Sequence, residues 1–384
     1  MDQKEIQLKA LVEKYRQDMM DFWKELIDFQ AGSREKERMQ TLMEKVAARL
    51  EKEGMETELL DTGAVPLLQA WVGKDRPGKP ILLSGHLDTV FPDGSYPEEA
   101  FTLKDGKAYG PGVCDMKGGI VMAVYVAKIL TEAGYDQHPL KLVFVPDEEI
   151  THQGSRVADM LVEQSKGCLC AFNFETGRMD NCLTVGRKGC MDVWITVHGK
   201  AGHVGNAYAT SANAIEEMAH KIIALRALTD LEKGRIVSTD IISGGTVSNA
   251  VADTCRIEVD CRYDYNEDKD RLQEAIRALC AETHVPGTST EVEFPASMPV
   301  FERTEGNDRL LALVNQVAAD FVIPAFGAAH PGGCSDASFM AQAGIPILDS
   351  VGVQGDGAHT LQEYAIVETM FERTLLLAVA ICRL

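Results

Sequence analysis

The chain of 384 residues has little positive charge. Its 38 Lys and Arg residues are outnumbered by 58 Asp and Glu residues, which gives a formal net charge of -20 at pH 7. Nucleic acids and anionic membrane surfaces repel such a polyanion, because it offers no cations to replace their counterions. We therefore expect neither nucleic acid nor a membrane among the partners of this protein.

Long apolar runs are also missing. No uninterrupted run approaches the roughly 18 residues that a membrane span needs, and the first residues lack a basic segment followed by an apolar one. The ten cysteines include no C-x-x-C pair, which excludes a zinc ribbon and a redox motif of that type. We expect a soluble cytoplasmic protein whose cysteines are mostly reduced core residues.

What the sequence does contain is a set of apolar strands that each end in potential ligands. These are the run 80–83 before His86 and Asp88, the run 140–145 before Glu148 and Glu149, and the run 168–174 before Glu175. Between them, Asp115 lies in a Gly-rich loop that leads into a predicted helix, 120–130. Open α/β sheets bind ligands at the carboxyl ends of their strands, so these side chains are expected to meet at one edge.

The pattern of strands and helices predicts an α/β fold with an inserted domain. The segment 188–299 has longer alternating strands in the order strand, helix, strand, strand, helix, strand, which is the ferredoxin-like βαββαβ unit. We predict a catalytic domain built from 1–187 and 300–384, interrupted by this insertion. Its last part should contain a strand at 345–353 that runs on to a histidine, and a closing helix at 364–384.

Imidazole and carboxylate ligands of this mixture suit zinc, with cobalt or manganese as substitutes. The candidates are His86, Asp115, the pair Glu148 and Glu149, Glu175, and His359. With the adjacent pair counted once, five ligands exceed what one catalytic zinc ion takes, because such an ion keeps a position open for water. A carboxylate that bridges two ions resolves the count, and Asp115 is the natural bridge.

These residues resemble a known family, the dinuclear zinc exopeptidases and deacylases that include glutamate carboxypeptidase, acetylornithine deacetylase and succinyl-diaminopimelate desuccinylase. The resemblance covers essentially the whole chain. It rests on SGHLDT at 84–89, GPGVCDMKGG at 110–119, DEE at 147–149, the strand end at Glu175, GKAGH at 199–203, and SDAS at 335–338 with His359 beyond. It implies a three-layer zinc-exopeptidase catalytic domain with an inserted ferredoxin-like lid and dimerisation domain.

The resemblance also implies a role for each residue at the metal site. His86 and Glu175 would hold one zinc ion, Glu149 and His359 the other, and Asp115 would bridge them. Glu148 would be the general base, taking a proton from a water shared by the two ions and delivering it to the leaving amine. Asp88 would orient the His86 ring. The peptide bond that follows Asp115 is expected to be cis.

In the inserted domain the resemblance implies a dimer. His203 in GKAGH matches the histidine that family members contribute from the partner subunit to the oxyanion, so we expect a homodimer. Asn249 and Arg262 resemble the clamp that holds a substrate carboxylate, which an arginine can bind with two parallel hydrogen bonds. No motif supports a functional role for His152, for which we expect a structural or solvent-facing one.

The leading functional hypothesis is hydrolysis of a peptide or N-acyl amide bond next to a free carboxylate, as in glutamate carboxypeptidase. One alternative is an N-acyl amino acid deacylase or dipeptidase of the same family. Relatives that act as aminopeptidases tend to have Asp at the position of Glu175, which favours the carboxypeptidase or deacylase side. Another alternative is an inactive metal-binding relative, but such proteins usually lose the base or a ligand, and this chain keeps Glu148 and every ligand.

Overall fold

The computed structural model describes residues 3–384. The α-helices are α1 (Gln3–Asp28), α2 (Lys36–Lys52), α3 (Lys117–Glu132), α4 (Val157–Ser165), α5 (Val204–Ala207), α6 (Ala214–Arg226), α7 (Asn266–Ala281), α8 (Glu305–Asp320), α9 (Ala337–Ala341) and α10 (Val367–Cys382). Among residues 3–384, no helix combines the length and the apolar character that crossing a membrane requires.

The strands in the first half of the chain are β1 (Glu56–Leu60), β2 (Leu67–Val72), β3 (Ile81–His86), β4 (Thr102–Lys104), β5 (Lys107–Tyr109), β6 (Leu140–Val145), β7 (Cys170–Asn173) and β8 (Cys182–Thr184). They are followed by β9 (Gly189–His198), β10 (Gly202–His203), β11 (Ile236–Gly244), β12 (Ala250–Val251), β13 (Thr254–Tyr263), β14 (Ser289–Glu293) and β15 (Ser297–Met298). The last are β16 (Gly327–Ala329), β17 (Ile347–Leu348), β18 (Gly355–Asp356) and β19 (Tyr364–Ile366).

The chain forms two compact units. Unit 1 consists of the residues up to Gly186 together with Arg303–His330 and Ser335–Leu384. Unit 2 consists of Arg187–Glu302 and Pro331–Cys334. The α/β class that the sequence predicts is confirmed in both.

The main sheet of unit 1 has the strand order β1–β2–β6–β3–β7–β17. The strands β6, β3, β7 and β17 are parallel neighbours, whereas β1 and β2 pair antiparallel at one side. Every residue of β3 and β6 is buried, as expected for parallel strands covered on both faces. Because β3, β6 and β7 run in the same direction, the residues that follow them reach the same edge of the sheet.

Helices α1, α3 and α10 pack against one another, and α3 also packs on β3 and β6. Helix α3 packs closely against the residues that follow β7. A Cβ atom at position 119 would lie 2.0 Å from the carbonyl oxygen of Phe174, so this contact requires Gly119. From α1, the buried Trp23 donates a hydrogen bond of 3.2 Å to the carbonyl of Val113 in the loop before α3. Trp23 thus helps to hold the loop that carries Asp115.

Unit 2 contains the predicted βαββαβ order, as β9, α6, β11, β13, α7 and β14. Its sheet has the order β11–β13–β9–β14, with antiparallel neighbours and β15 also paired to β9. Along β9 the residues Met191, Val193, Ile195 and Val197 are buried and alternate with more exposed ones. This period of two is the pattern from which the strands were predicted.

Two predictions near the end of the chain are wrong in detail. The predicted strand 345–353 is a strand only over β17, because Ser350 has the left-handed φ of 60° and turns the chain. The predicted helix 364–384 begins instead with β19, which pairs antiparallel with β5, and becomes helical at Val367. A run of three apolar residues has too few positions to distinguish a strand from a helix.

Candidate metal centre

His86 is the last residue of β3, and its ring is buried at the edge of the sheet. The Nδ1 atom lies 3.1 Å from the carbonyl oxygen of Asp88 and 3.4 Å from its carboxylate Oδ1. These oxygens can only accept, so Nδ1 carries a hydrogen. This leaves Nε2 as the candidate ligand atom, and it faces Asp115 and Glu175.

Asp115 presents its two carboxylate oxygens to two different imidazoles. Oδ1 lies 3.3 Å from His86 Nε2, and Oδ2 lies 3.3 Å from His359 Nε2. The Asp115–Met116 peptide bond is cis, which confirms the expectation from the sequence. A carboxylate whose two oxygens face separate histidines has the arrangement that a bridge between two ions requires.

A residue that the sequence motifs did not single out holds the Asp115 loop. The buried carboxylate of Glu363 accepts hydrogen bonds from the backbone N–H groups of Gly112, Cys114 and Asp115, at 2.9, 2.8 and 3.0 Å. Burial and the nearby charge of Asp115 raise the pKa of Glu363 to about 7, although the three N–H groups lower it. Glu363 fixes the backbone from which Asp115 reaches its two neighbours.

The remaining ligand candidates complete two groups around Asp115. Glu175 Oε1 lies 3.7 Å from Nε2 of His86. Glu149 Oε2 lies 3.1 Å from Nε2 of His359, whose backbone has the left-handed φ of 64°. His86 and Glu175 thus lie at one oxygen of Asp115, and His359 and Glu149 at the other.

These separations fit metal ligation. Two atoms that each bind a tetrahedral zinc ion at about 2.0–2.1 Å lie about 3.3 Å from each other. The separations of the candidate donors from the two imidazoles are 3.1–3.7 Å. Donor atoms of His86, Asp115 and Glu149 also lie within 4.8 Å of one another. The residues present therefore fit a metal centre with nitrogen and oxygen ligands.

The charges of these side chains also favour a metal centre. Its carboxylates outnumber its imidazoles, and they are Asp115, Glu148, Glu149 and Glu175. Burial raises the pKa of Glu148 well above that of an ordinary glutamate; the charge of His86 lowers it, and the charges of Glu175 and Asp336 raise it further. Burial likewise raises the pKa of Glu149. Such an excess of buried negative charge is stabilised by cations.

Asp88 connects the His86 ring to the loop that follows β6. It is fully buried and accepts hydrogen bonds from the Ser33 hydroxyl at 2.6 Å and from the backbone N–H groups of Glu148 and Glu149 at 3.2 and 3.1 Å. Burial raises the pKa of Asp88, but the contacts with His86 and these donors outweigh it and hold the pKa below its usual value. Asp88 thus orients both the His86 ring and the adjoining acidic loop.

Unit 2 contains the other predicted site residues, and two of them lie together. His203 and Asn249 are exposed next to the short pair β10 and β12, where the Val204 N–H donates to the Asn249 carbonyl at 3.1 Å. The Nδ1 atom of His203 accepts a hydrogen bond of 3.1 Å from the N–H of Gly205. The ring proton is therefore on Nε2, where it can be donated to a ligand.

Arg262 has a different environment from the one that a free substrate clamp would have. Its Nε and Nη2 atoms each donate a hydrogen bond of 2.7 Å to the two carboxylate oxygens of Asp260. Its Nη1 atom contacts the Gly332 carbonyl at 3.3 Å and the Cys334 sulfur at 3.6 Å. Asp260 thus already occupies the face of the guanidinium that would bind a carboxylate with two parallel bonds.

Comparison with known proteins adds three observations. Residues 82–383 match the peptidase family M20/M25/M40. The chain is 30% identical over 293 residues to carboxypeptidase G2 of Pseudomonas sp. (strain RS-16), which covers 75% of this chain and 69% of that protein. It is also 30% identical over 350 residues to succinyl-diaminopimelate desuccinylase of Xylella fastidiosa (strain 9a5c), with 83% and 86% covered.

Solved structures show the same fold at lower identity. Aminopeptidase PepT from Bacillus cereus ATCC 10987 matches 95% of this chain and 98% of its own, with a TM-score of 0.79 and 21% identity. The M20 family metallo-carboxypeptidase Sso-CP2 from Sulfolobus solfataricus matches 98% of both chains, with a TM-score of 0.72 and 16% identity. At such identities the likeness establishes the fold alone.

Proposed function

The chain belongs to the peptidase family M20/M25/M40 and is a metal-dependent hydrolase of peptide or acyl amide bonds; from this premise we propose that it acts on an amide bond next to a free carboxylate and uses two zinc ions. The observation that carries the two-ion proposal is that the two oxygens of Asp115 face different imidazoles, His86 and His359, each at 3.3 Å. A single ion at one imidazole would leave no metal ion between Asp115 and the other imidazole.

In this proposal His86, Glu175 and Asp115 hold one zinc ion, and His359, Glu149 and Asp115 hold the other, with cobalt or manganese as possible replacements. When bound, the ions supply Lewis acidity, which lowers the pKa of a bound water and polarises the scissile carbonyl.

Glu148 moves the proton. One of its carboxylate oxygens accepts a proton from the attacking water and then donates it to the nitrogen of the leaving amine. Its position is supported by Asp88, which accepts the backbone N–H of Glu148 at 3.2 Å. Burial and neighbouring carboxylates raise the pKa of Glu148, which makes its carboxylate a stronger acceptor for the proton of the attacking water.

His203 would stabilise the oxyanion from a second copy of the chain. Support comes from its exposed ring, with the proton on Nε2, and from the surface of unit 2. Strand β11 lies at the edge of its sheet, and Ile241 and Ile242 on it are 56% and 58% exposed. An edge strand with exposed apolar side chains favours pairing with another chain, so we propose a homodimer through unit 2.

The substrate class follows from the relatives and from unit 2. One relative is named as a carboxypeptidase and the other as a desuccinylase, so small peptides and N-acyl amino acids are both proposed. Asn249, exposed beside His203, and Arg262 are the proposed contacts for the carboxylate. Because Asp260 engages Arg262, we propose that a substrate carboxylate would compete with Asp260 for the guanidinium.

The test is metal analysis combined with hydrolysis of a panel of N-acyl amino acids and dipeptides. We expect no activity after a chelator has removed the metal, and recovery with zinc, cobalt or manganese. The matched controls are the same compounds with the free carboxylate converted to a carboxamide, which should lose most of their kcat/KM. Equal hydrolysis of acids and carboxamides would refute the carboxylate requirement.

The proposed dimer makes a separate prediction. His203→Ala and Glu148→Gln chains should each be inactive, but a mixed dimer contains one site with both groups intact. Random mixing should therefore restore about a quarter of wild-type activity, because half of the dimers are mixed and one of their two sites works. Subunit exchange is verified with differently tagged chains. Complete exchange without recovered activity would argue against His203 acting across the dimer.

A further inference from the structure

Beside the proposed base, unit 1 contains a buried histidine that the mechanism above does not use. His152 lies between two aspartates, with Nδ1 at 2.8 Å from Asp147 Oδ1 and Nε2 at 2.7 Å from Asp336 Oδ1. The three residues are 4%, 6% and 1% exposed, respectively. The Phe339 ring packs against the imidazole in an edge-to-face arrangement, with ring centroids 5.4 Å apart. Water therefore has little access to this chain of three groups.

The two contacts fit a charged imidazole. When both aspartates are ionised their oxygens only accept, so both ring nitrogens donate, and only the imidazolium has two N–H groups. Burial lowers the pKa of His152, but the charge of Asp336 and the hydrogen bonds to Asp147 and Asp336 outweigh it and raise the pKa to about 10. The described side chains thus form a buried ionic bridge in which one cation serves two carboxylates.

The bridge closes a loop that its backbone alone does not favour. Thr151 and His152 have left-handed φ angles of 55° and 54°, which are uncommon for residues other than glycine. With these angles the chain turns back, so that the His152 N–H donates to the Asp147 carbonyl at 3.0 Å. The hydrogen bonds from the His152 ring to Asp147 and Asp336 stabilise this turn.

The loop between Asp147 and His152 carries the proposed base. From one side, Asp88 holds the backbone N–H groups of Glu148 and Glu149. From the other side, the ionic bridge joins Asp147, the residue immediately before Glu148, to Asp336 at the start of α9. The backbone of Glu148 is therefore anchored on both sides.

We propose that His152 is a positioning residue, whose imidazolium ties Asp147 to Asp336 and thereby fixes Glu148 for proton transfer. The inference rests on the proposed function, because it matters only if Glu148 is the base. In the absence of His152, Asp147 and Asp336 would be two buried like charges without a shared cation, which would push the loop away from α9.

The test compares two variants at saturating metal. His152→Gln keeps one amide N–H for Asp147 but turns its amide oxygen toward Asp336, so we expect kcat to fall by about 10- to 100-fold with KM nearly unchanged. His152→Gln combined with Asp336→Asn should recover kcat to within about 5-fold of wild type, because the new side-chain amide at position 336 donates to that oxygen and completes a neutral chain of hydrogen bonds.

A matched control is Lys141→Met, which removes another buried cation, on the strand that leads to this loop. It should leave kcat within about 2-fold of wild type, since its contacts are with the carbonyl of Gln164 and the Trp71 ring. A kcat for His152→Gln within about 3-fold of wild type, or a double variant no better than the single one, would overturn the inference. Suppose that His152→Gln is as active as the wild type. If Glu148→Gln is then inactive, only the role of His152 is wrong. If Glu148→Gln is active as well, the proposed role of Glu148 as the base is also wrong.

A second measurement does not depend on activity. In metal-free wild-type protein near neutral pH, ¹⁵N NMR of the ring should show both nitrogens of His152 protonated. A neutral ring with one bare nitrogen would contradict the ionic bridge. The melting temperature of metal-free His152→Gln should also be lower than that of the wild type and should rise again in the double variant.

Discussion

Glu148→Gln should retain its metal and lose most of its turnover, with kcat lower by about 100- to 10,000-fold. Glutamine has nearly the same size and keeps the backbone N–H that Asp88 holds at 3.2 Å, so the loop should not move. What it loses is the carboxylate oxygen that accepts the proton of the attacking water. Because Glu148 is not among the proposed ligands, metal content per chain should equal that of the wild type, and the loss should appear in kcat.

A matched control for this change is Glu163→Gln on α4, an exposed glutamate whose side chain is 65% accessible. Its kcat should be indistinguishable from that of the wild type. Steady-state kinetics with metal analysis on the same samples decides the matter. If Glu148→Gln keeps activity within a few-fold of wild type, another group is the base.

Asp115→Asn should have the second large effect, on the metal itself. The two oxygens of Asp115 lie 3.3 Å from two different imidazoles, and each oxygen is proposed to bind the ion beside one of them. Asparagine has one carbonyl oxygen, and its NH₂ group cannot bind a cation, so it can bind only one of the two ions. We expect metal content to fall from two ions to at most one per chain, and activity to fall by about 100-fold or more.

Asp356→Asn is the control. Asp356 is exposed, and its carboxylate accepts a hydrogen bond from the N–H of Gly357. Equilibrium dialysis followed by elemental analysis measures the stoichiometry. Two tightly bound ions in Asp115→Asn would mean that Asp115 does not bridge them.

Much of the fold could be predicted because its signals are local. Apolar runs give β3, β6 and β7, and their parallel pairing brings together the residues that follow them. Alternating burial in unit 2 gives its strands, and the order of elements gives its topology. The ligand candidates could therefore be found from strand ends and a few motifs.

The supporting groups could not be found this way, because their roles depend on contacts between distant parts of the chain. Glu363 holds the loop of Asp115, and Asp336 meets His152, across long separations in sequence. The periodic pattern of apolar residues does not indicate which glutamate or histidine will be buried. The left-handed backbone at Ser350, which ends β17 early, is equally invisible in composition.

One missed contact did have a signal in the sequence. Asp260 and Arg262 are two residues apart on β13, so their side chains lie on the same face of the strand. An arginine with an aspartate in that position is expected to pair with it. The ion pair at 2.7 Å could thus have been anticipated beside the expected substrate clamp.

Anomalous diffraction from crystals of the zinc-loaded protein can locate the pair of metal ions that Asp115 is proposed to bridge. We expect two zinc peaks about 3–4 Å apart, with one oxygen of Asp115 on each. His86 and Glu175 should bind one ion, and His359 and Glu149 the other. A single zinc peak at full occupancy, or two peaks with Asp115 bound to neither, would contradict the proposed bridge.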